Sequence, residues 1–231
     1  MKIGIIGAGN IGQVLALRFG ERGHEVRIAN SRGPDTLGEV ERATGAQAVE
    51  AREAVQGADL VVVTIPESKV PLLSKDLLAG APASLIVIDT GNYYPRQRDG
   101  RIDGIENGLP ESRWVEEKIG RPVIKAFNNI YAAHLRNHGK PAGTAGRIAL
   151  PVAGDDHKAK KVVMQLVDEI GFDPVDAGEI DDSWRQQPAT PVYTADLDAA
   201  GVRHALHEAS PQRKPEWRAT DESPGDFDNP R

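Results

Sequence analysis

The chain contains no cysteine, and that absence removes disulfides, thiolate nucleophiles, iron–sulfur clusters and thiolate zinc sites together. It has no apolar run of membrane-spanning length, and no signal-peptide pattern precedes its first strand-like segment. A cytoplasmic protein without membrane contact is therefore expected. The formal charge of −6 works against general nucleic-acid binding, so any affinity for phosphate must be local. No Ser–His–Asp set or paired-carboxylate arrangement can be assembled, so no catalytic residue is named. What remains, 39% hydrophobic and 27% charged residues in a chain of 231, is ordinary for a globular protein. It suffices for one large domain, or for one domain with an appendage.

The first residues carry the strongest signal. Lys2 to Ile6 is an apolar run of strand length, and Gly7-Ala8-Gly9-Asn10-Ile11-Gly12 follows at once, before a helix-like stretch from Val14 to Phe19. Gly7 permits a tight turn, Gly9 lets the backbone approach a pyrophosphate, and Gly12 allows the helix to pack closely on the strand. Amides at the helix start face the anion. A purely structural glycine turn is the alternative, but the strand-to-helix setting favours a dinucleotide.

The second strand, Glu25 to Ala29, ends at Asn30-Ser31-Arg32. A carboxylate in this place accepts from the ribose 2′-hydroxyl of NAD, and none is present. A carboxylate would oppose a 2′-phosphate by about 4 kcal/mol per charge pair at contact, taking an effective dielectric near 20. Arg32 offers a charge-assisted hydrogen bond instead, and Ser31 a hydroxyl. NADP is therefore the expected cofactor, with ordinary loop residues before the Gly33-Pro34 turn as the plainer reading.

Further along, Thr36 to Thr44 reads as a helix, Ala46 to Val49 as a short strand and Glu50 to Gln56 as a short helix. Asp59 to Ile65 is β-branched without alternation, as in a parallel strand covered on both faces. Val70 to Leu78 suggests a helix. Leu85 to Asp89, Pro122 to Phe127, Arg147 to Ala153 and Phe172 to Val175 suggest four more strands. Ala159, Val162, Val163, Leu166, Val167 and Ile170 recur at helical spacing, with Asp155 placed to cap the first turn. The alternation predicts an α/β fold: a doubly wound, mostly parallel, Rossmann-like sheet of about eight strands over residues 1–180. Residues 181–231 form a polar C-terminal extension, in which only Ala195 to Ala209 reads as helical. From Ser210 onward a disordered or surface-laid tail is expected. Residues 92–120 form a long excursion rich in glycine, proline and charge.

Ligands of open α/β sheets sit beyond the carboxyl ends of the strands. Thr64-Ile65-Pro66, Thr90, Asn92, Ala126 and Asn128 are thus expected along the cofactor. Asn128, Asn129 and Ile130 would face an acceptor, although the asparagines could equally cap the following helix. Ser183, Trp184 and Arg185, with Gln186 and Gln187, form the densest polar and aromatic cluster and could wall an acceptor pocket. Two histidine pairs, His134 with His138 and His204 with His207, lack the glutamate of a hydrolytic zinc motif and any obvious third ligand. No metal is expected.

With these residues in place, the chain resembles the NADPH-dependent reductases of the deazaflavin coenzyme F420 over roughly residues 1–185. The likeness is carried by Gly7–Gly12, Asn30-Ser31-Arg32 and Thr64-Ile65-Pro66. It continues in Lys125–Ile130, Leu150–Asp156, Lys161–Met164 and Val175–Gly178. The resemblance implies direct hydride transfer between NADPH and a flat ring stacked on the nicotinamide. It would place the pyrophosphate on Ala8 to Ile11, the 2′-phosphate on Ser31 and Arg32, and the acceptor beside Asn128 to Ile130 and Ser183. Two departures lie on the acceptor side. Asn128 stands where archaeal reductases have histidine, and Trp184-Arg185-Gln186-Gln187 with a polar tail replaces an apolar helix that supports a homodimer in relatives. Metal-reductase domains with similar Ala-Phe-Asn wording make a flavin a competing acceptor. An NADPH-binding redox sensor, or a reductase of small imines or carbonyls using Tyr93, Tyr94 or Tyr131 as proton donor, are the other readings.

Overall fold

A computed structural model describes residues 1–74 and 76–220. In chain order the elements are β1 (Lys2–Ile6), α1 (Asn10–Gly20), β2 (Glu25–Ala29), α2 (Gly38–Thr44), β3 (Gln47–Ala48), α3 (Ala51–Val55), β4 (Leu60–Val63) and β5 (Ile86–Asp89). They continue with α4 (Asp103–Glu106), α5 (Glu111–Ile119), β6 (Ile124–Lys125), α6 (Ala132–Asn137), β7 (Ala149–Val152), α7 (His157–Glu169), β8 (Asp173–Asp176) and α8 (Ala199–His207).

Six strands form one parallel sheet in the order β3-β2-β1-β4-β5-β6, the order of a doubly wound dinucleotide-binding sheet. β1 lies between β2 and β4, with Ile5 opposite Ile28 on one side and Val62 on the other. Both β1 and β4 are buried on both faces, so their unbroken apolar runs are what a central parallel strand needs. One apolar layer joins Val14, Leu15 and Phe19 of α1 to Leu135, Val163 and Leu166. The opposite layer joins Ala54 and Val55 of α3 to Ile105, Trp114 and Val115.

The eight strands do not share one sheet. β7 and β8 pair with each other in parallel and meet β6 through a single antiparallel bridge, Lys125 with Ala153. The cause is local: Pro122 cannot donate to a ladder, and Phe127 takes a left-handed φ of 63° that turns the chain out of the sheet plane. Only Ile124 and Lys125 remain to pair.

Other expectations also shift. Val70 to Leu78 is not an α-helix. A 3-10 segment, Glu67–Leu72, holds Pro71 within it, and a proline there removes an interior helix donor. The excursion over residues 92–120 contains α4 and α5, whose buried Ile105, Trp114 and Val115 are hidden among charges. Asp156, rather than Asp155, caps α7, accepting from the amides of Lys158 and Ala159. Asp155 instead accepts from the Ile180 amide and pairs with Arg113. The helix expected over Ala195 to Ala209 is shorter, because Asp198 caps α8 by accepting from Gly201 N.

α8 packs over β7 and β8 through Val202, Ala205 and Leu206. Residues 210–220 lie along the surface, where Arg213 reaches Glu111, Arg218 reaches Glu106, and Trp217 sits beside Tyr94 and Tyr193. The expected tail beyond residue 220 lies outside the described residues.

Candidate functional site

The strand order reverses between β1 and β4, and the glycine turn stands at that point. Gly7 has a φ of 116°, and a Cβ there would lie 2.1 Å from the Thr64 carbonyl oxygen. A Cβ on Gly12 would lie 2.1 Å from the Gly7 carbonyl oxygen. Both positions are thus closed to side chains by the protein itself, and they bring α1 hard against the ends of β1 and β4. Gly9 differs. Its φ of −78° and ψ of −171° suit any residue, and a Cβ there would meet nothing within 4 Å. Nothing in the fold demands glycine at position 9, whereas a ligand resting on the backbone would. Asn10 and Ile11 open α1 with no side chain capping its first turn, so their amides remain available to an anion. The Ala8 carbonyl accepts from Gln13 Nε2 at 2.8 Å, which fixes the turn from behind.

At the end of β2, Asn30 organises the loop instead of facing outward. Its Oδ1 accepts from the Arg32 amide at 2.9 Å and its Nδ2 donates to Thr36 Oγ1 at 2.9 Å. Ser31 and Arg32 are exposed on the resulting turn.

A cleft of about 470 Å³ runs from the glycine turn across the ends of β4, β5 and β6. Gly9, Asn10, Ile11, Thr64, Ile65 and Pro66 form one end, with Thr90, Asn92, Asn128 and Ile130 behind them. Ala126 and Asn129 are buried and do not line it. The Asn128 side chain is fully engaged: Nδ2 donates to Asn92 Oδ1 and the Gln186 carbonyl, and Oδ1 accepts from Gln186 Nε2. It holds the β5 and β6 exits together.

The opposite wall is made by Tyr94, Arg98, Tyr131, Tyr193 and Thr194. The Tyr94 and Tyr193 hydroxyls are hydrogen-bonded to each other, and burial raises the pKa of both phenols, so they stay protonated. Arg98 lies over the Tyr94 ring at 4.9 Å and is anchored to Asp99. Arg98, Tyr193 and Thr194 were not legible from the sequence, since no motif surrounds them. Tyr93 is fully buried and donates to Glu106, so it cannot meet a substrate.

Ser183, Trp184 and Arg185 do not join this cleft. Ser183 is buried, and Arg185 stacks on Trp184 at 4.4 Å and donates to the Leu206 carbonyl. Trp184 lines a separate hollow of about 740 Å³ against the 210–218 segment. That hollow is larger, but no strand end or glycine turn opens into it.

Beneath the cleft lies a buried charge cluster. Lys125 Nζ donates to Asp89 Oδ2 at 3.0 Å and to the Gly91 carbonyl at 2.5 Å, while Ser112 donates to the same Asp89 oxygen at 2.6 Å. Burial alone would lower the Lys125 value, but the carboxylates around it, Asp89 first, outweigh burial and keep the ammonium charged. Glu67 is fully buried, and both its carboxylate oxygens lack hydrogen-bond partners. Burial, then the nearby Asp89 charge, hold its pKa well above the usual carboxylate range.

One histidine pair has a carboxylate beside it. Asp196 Oδ2 lies 2.7 Å from His134 Nδ1 and 3.8 Å from His138 Nδ1. Sequence spacing could not show it, because Asp196 arrives from a turn 58 residues beyond His138.

Comparison with known proteins agrees with the sheet order. Residues 2–93 match the family described as NADP oxidoreductase, coenzyme F420-dependent. Over 99 residues the chain is 49% identical to protein YjhV of Escherichia coli (strain K12), covering 43% of this chain and 63% of that one. The match thus spans less than two thirds of that curated relative. Protein SMa0349 of Sinorhizobium meliloti is 32% identical, with a TM-score of 0.72 over 85% of this chain and 95% of that one. A structure from Arthrobacter sp. FB24, provisionally named an F420-dependent NADP reductase, is 25% identical, with a TM-score of 0.61 over 78% and 86% of the two chains. Among the described residues no helix is long and apolar enough to cross a membrane.

Two outcomes follow from this geometry. Gly9→Ala should leave the melting temperature within ~2 °C of the parent yet weaken NADPH binding at least about tenfold, since only the ligand side is open at that position. Calorimetric titration beside a thermal melt reads both. Glu67 keeps its proton when folded and loses it when unfolded, so its contribution to stability is present at low pH. That contribution declines as pH rises past the ordinary carboxylate value. Glu67→Gln should therefore gain on the parent in melting temperature between about pH 5 and about pH 8. A constant difference across that range would show that Glu67 is ionised in the fold.

Proposed function

The chain belongs to the family of coenzyme F420-dependent NADP oxidoreductases, and from that footing we propose that it moves hydride between NADP(H) and a flat deazaflavin or flavin. The reading is carried by one observation. At the strand-order reversal, the fold requires glycine at positions 7 and 12 but leaves position 9 bare, as a dinucleotide phosphate would. The amides of Asn10 and Ile11 would take the pyrophosphate. Ser31 and Arg32 would take the 2′-phosphate, on a turn where Asn30 is already engaged. Gly7 and Gly12 then act through packing, and Ala8 through its backbone.

When bound, NADPH supplies the hydride, and the protein's task is position and orientation. Pro66 and Thr64 would back the nicotinamide, with Thr90 and Asn92 along its edge. Asn128 would act as a brace between strand exits and Ile130 as an apolar contact. Tyr94 and Tyr193 offer the acceptor an aromatic wall, and Arg98 a cation at its rim. Ser183, Trp184 and Arg185 stand apart from this wall, and Ala126 and Asn129 are buried behind the cleft lining. A homodimer and a cytoplasmic location remain part of the proposal.

A second reading draws on the Tyr94–Tyr193 pair. A protonated phenol in the same cleft suits reduction of a small imine or carbonyl, which needs a proton beside the hydride. Stopped-flow mixing of the protein with NADPH and F420, FMN or FAD, followed at 340 nm, separates the readings. Turnover with a deazaflavin or flavin that survives Tyr94→Phe supports the first. Turnover only with imines or carbonyls, abolished by that change, supports the second. Tight binding with no turnover would make the protein a sensor.

Cofactor choice gives the sharpest outcome. Arg32→Ala should weaken NADPH by about 10- to 100-fold, roughly 1.5–3 kcal/mol for a lost charged hydrogen bond. NADH should be nearly unaffected in the same titration. Equal losses for both nucleotides would show that the adenosine end lies elsewhere.

A further inference from the structure

We propose that His134, His138 and Asp196 form a binding site for a divalent transition metal of the zinc class at the rim of the cleft. His134 and His138 lie one helical turn apart at the end of α6, and their rings stack at 4.5 Å with an interplanar angle of 18°. Asp196 reaches them from the turn that follows Tyr193 and Thr194. The ligating atoms of all three residues lie within 4.8 Å of one another.

A plain histidine–carboxylate hydrogen bond does not account for the arrangement. His134 Nδ1 stands 2.7 Å from Asp196 Oδ2, yet this nitrogen is buried and has no hydrogen-bond partner of acceptable geometry. His138 Nδ1 faces the same oxygen from 3.8 Å, beyond hydrogen-bond reach. Two imidazole nitrogens and one carboxylate oxygen therefore lie close together, and neither contact with the carboxylate is a satisfied hydrogen bond. Zinc bonds of about 2.0–2.1 Å in a tetrahedron put ligand atoms about 3.3 Å apart. The observed separations of 2.7 and 3.8 Å bracket that value.

The donor set selects the metal. Two neutral imidazoles with one carboxylate suit zinc, nickel or copper better than magnesium or calcium, which prefer all-oxygen sites. Three protein ligands leave a position for water, and His138 and Asp196 are exposed enough to admit the ion.

The site has a structural consequence. α6 follows Tyr131, and the Asp196 turn follows Tyr193 and Thr194, all of which line the cleft. Thr194 has a left-handed φ of 56°, unfavourable for a β-branched residue, and its amide donates to the Asn129 carbonyl at 2.9 Å. A bound metal would clasp α6 to this turn and fix the tyrosine wall. The inference does not depend on the nucleotide reading, and its test is run without nucleotide.

The test uses the tag-free full chain, stripped with a chelator and titrated with Co²⁺ while visible absorption is recorded, then displaced with Zn²⁺. The expected result is one cobalt per chain, with bands of a low-coordinate site that Zn²⁺ abolishes. His138→Ala and Asp196→Asn should each weaken binding at least about tenfold. His204→Ala, at the other histidine pair, should bind as the parent does. His138 and Asp196 are exposed, so these variants should fold, and Zn²⁺ should raise the melting temperature of the parent but not of His138→Ala. Absence of a saturable cobalt spectrum, or equal affinities for the parent, His138→Ala and Asp196→Asn, would overturn the site.

Discussion

Everything at the functional end of this molecule is arranged by the close approach of backbone to backbone where β1 and β4 finish side by side. The Gly7 α-carbon faces the Thr64 carbonyl, and Gly12 faces the Gly7 carbonyl, with no space for a side chain at either place. That contact draws the first turn of α1 into the crevice, where its unpaired amides can meet an anion. It also leaves Gly9 as the one glycine of the motif that the protein itself does not require. A single constraint of packing thus sets the strand order's reversal point, the direction of α1 and the openness of the ledge between them.

The far wall obeys a different logic. It is assembled from chain segments far apart in sequence, around Tyr94, Tyr131 and Tyr193, and each is braced from behind. Asn128 ties Asn92 to Gln186, and Lys125 holds the Gly91 carbonyl above a cluster of carboxylates. Trp217, from the surface-laid segment, sits against both Tyr94 and Tyr193. The glycine ledge is set by local backbone, whereas the tyrosine wall depends on tertiary contacts.

That division explains what could be read from the chain beforehand. β1, β4 and β5 are central, buried on both faces, and announce themselves as unbroken apolar runs. The glycine turn is contiguous and needs no tertiary information. The apolar run from Pro122 to Phe127 is longer than β6, because Phe127 leaves the sheet at a backbone angle that its side chain does not advertise. Val70 to Leu78 looked helical from its apolar residues, although Pro71 argued otherwise. The polar cluster at 183–185 was a natural candidate for a wall by composition, but it folds beneath or beside the cleft. Tyr193 and Asp196, which do reach the rim, sit in a stretch without periodicity. Only the turn at Thr194 brings them there.

The central claim is that the crevice between β1 and β4 grips a phosphorylated nicotinamide nucleotide and turns its reactive ring toward the tyrosine wall. A crystal structure of the protein soaked with NADP⁺ tests this most directly. The account predicts density with the 2′-phosphate at Ser31 and Arg32, the pyrophosphate over Gly9 to Ile11, and the nicotinamide between Pro66 and Tyr94. Nucleotide density lodged instead in the hollow beside Trp184, or a reversed nucleotide with its adenine in the tyrosine-walled cleft, would contradict it.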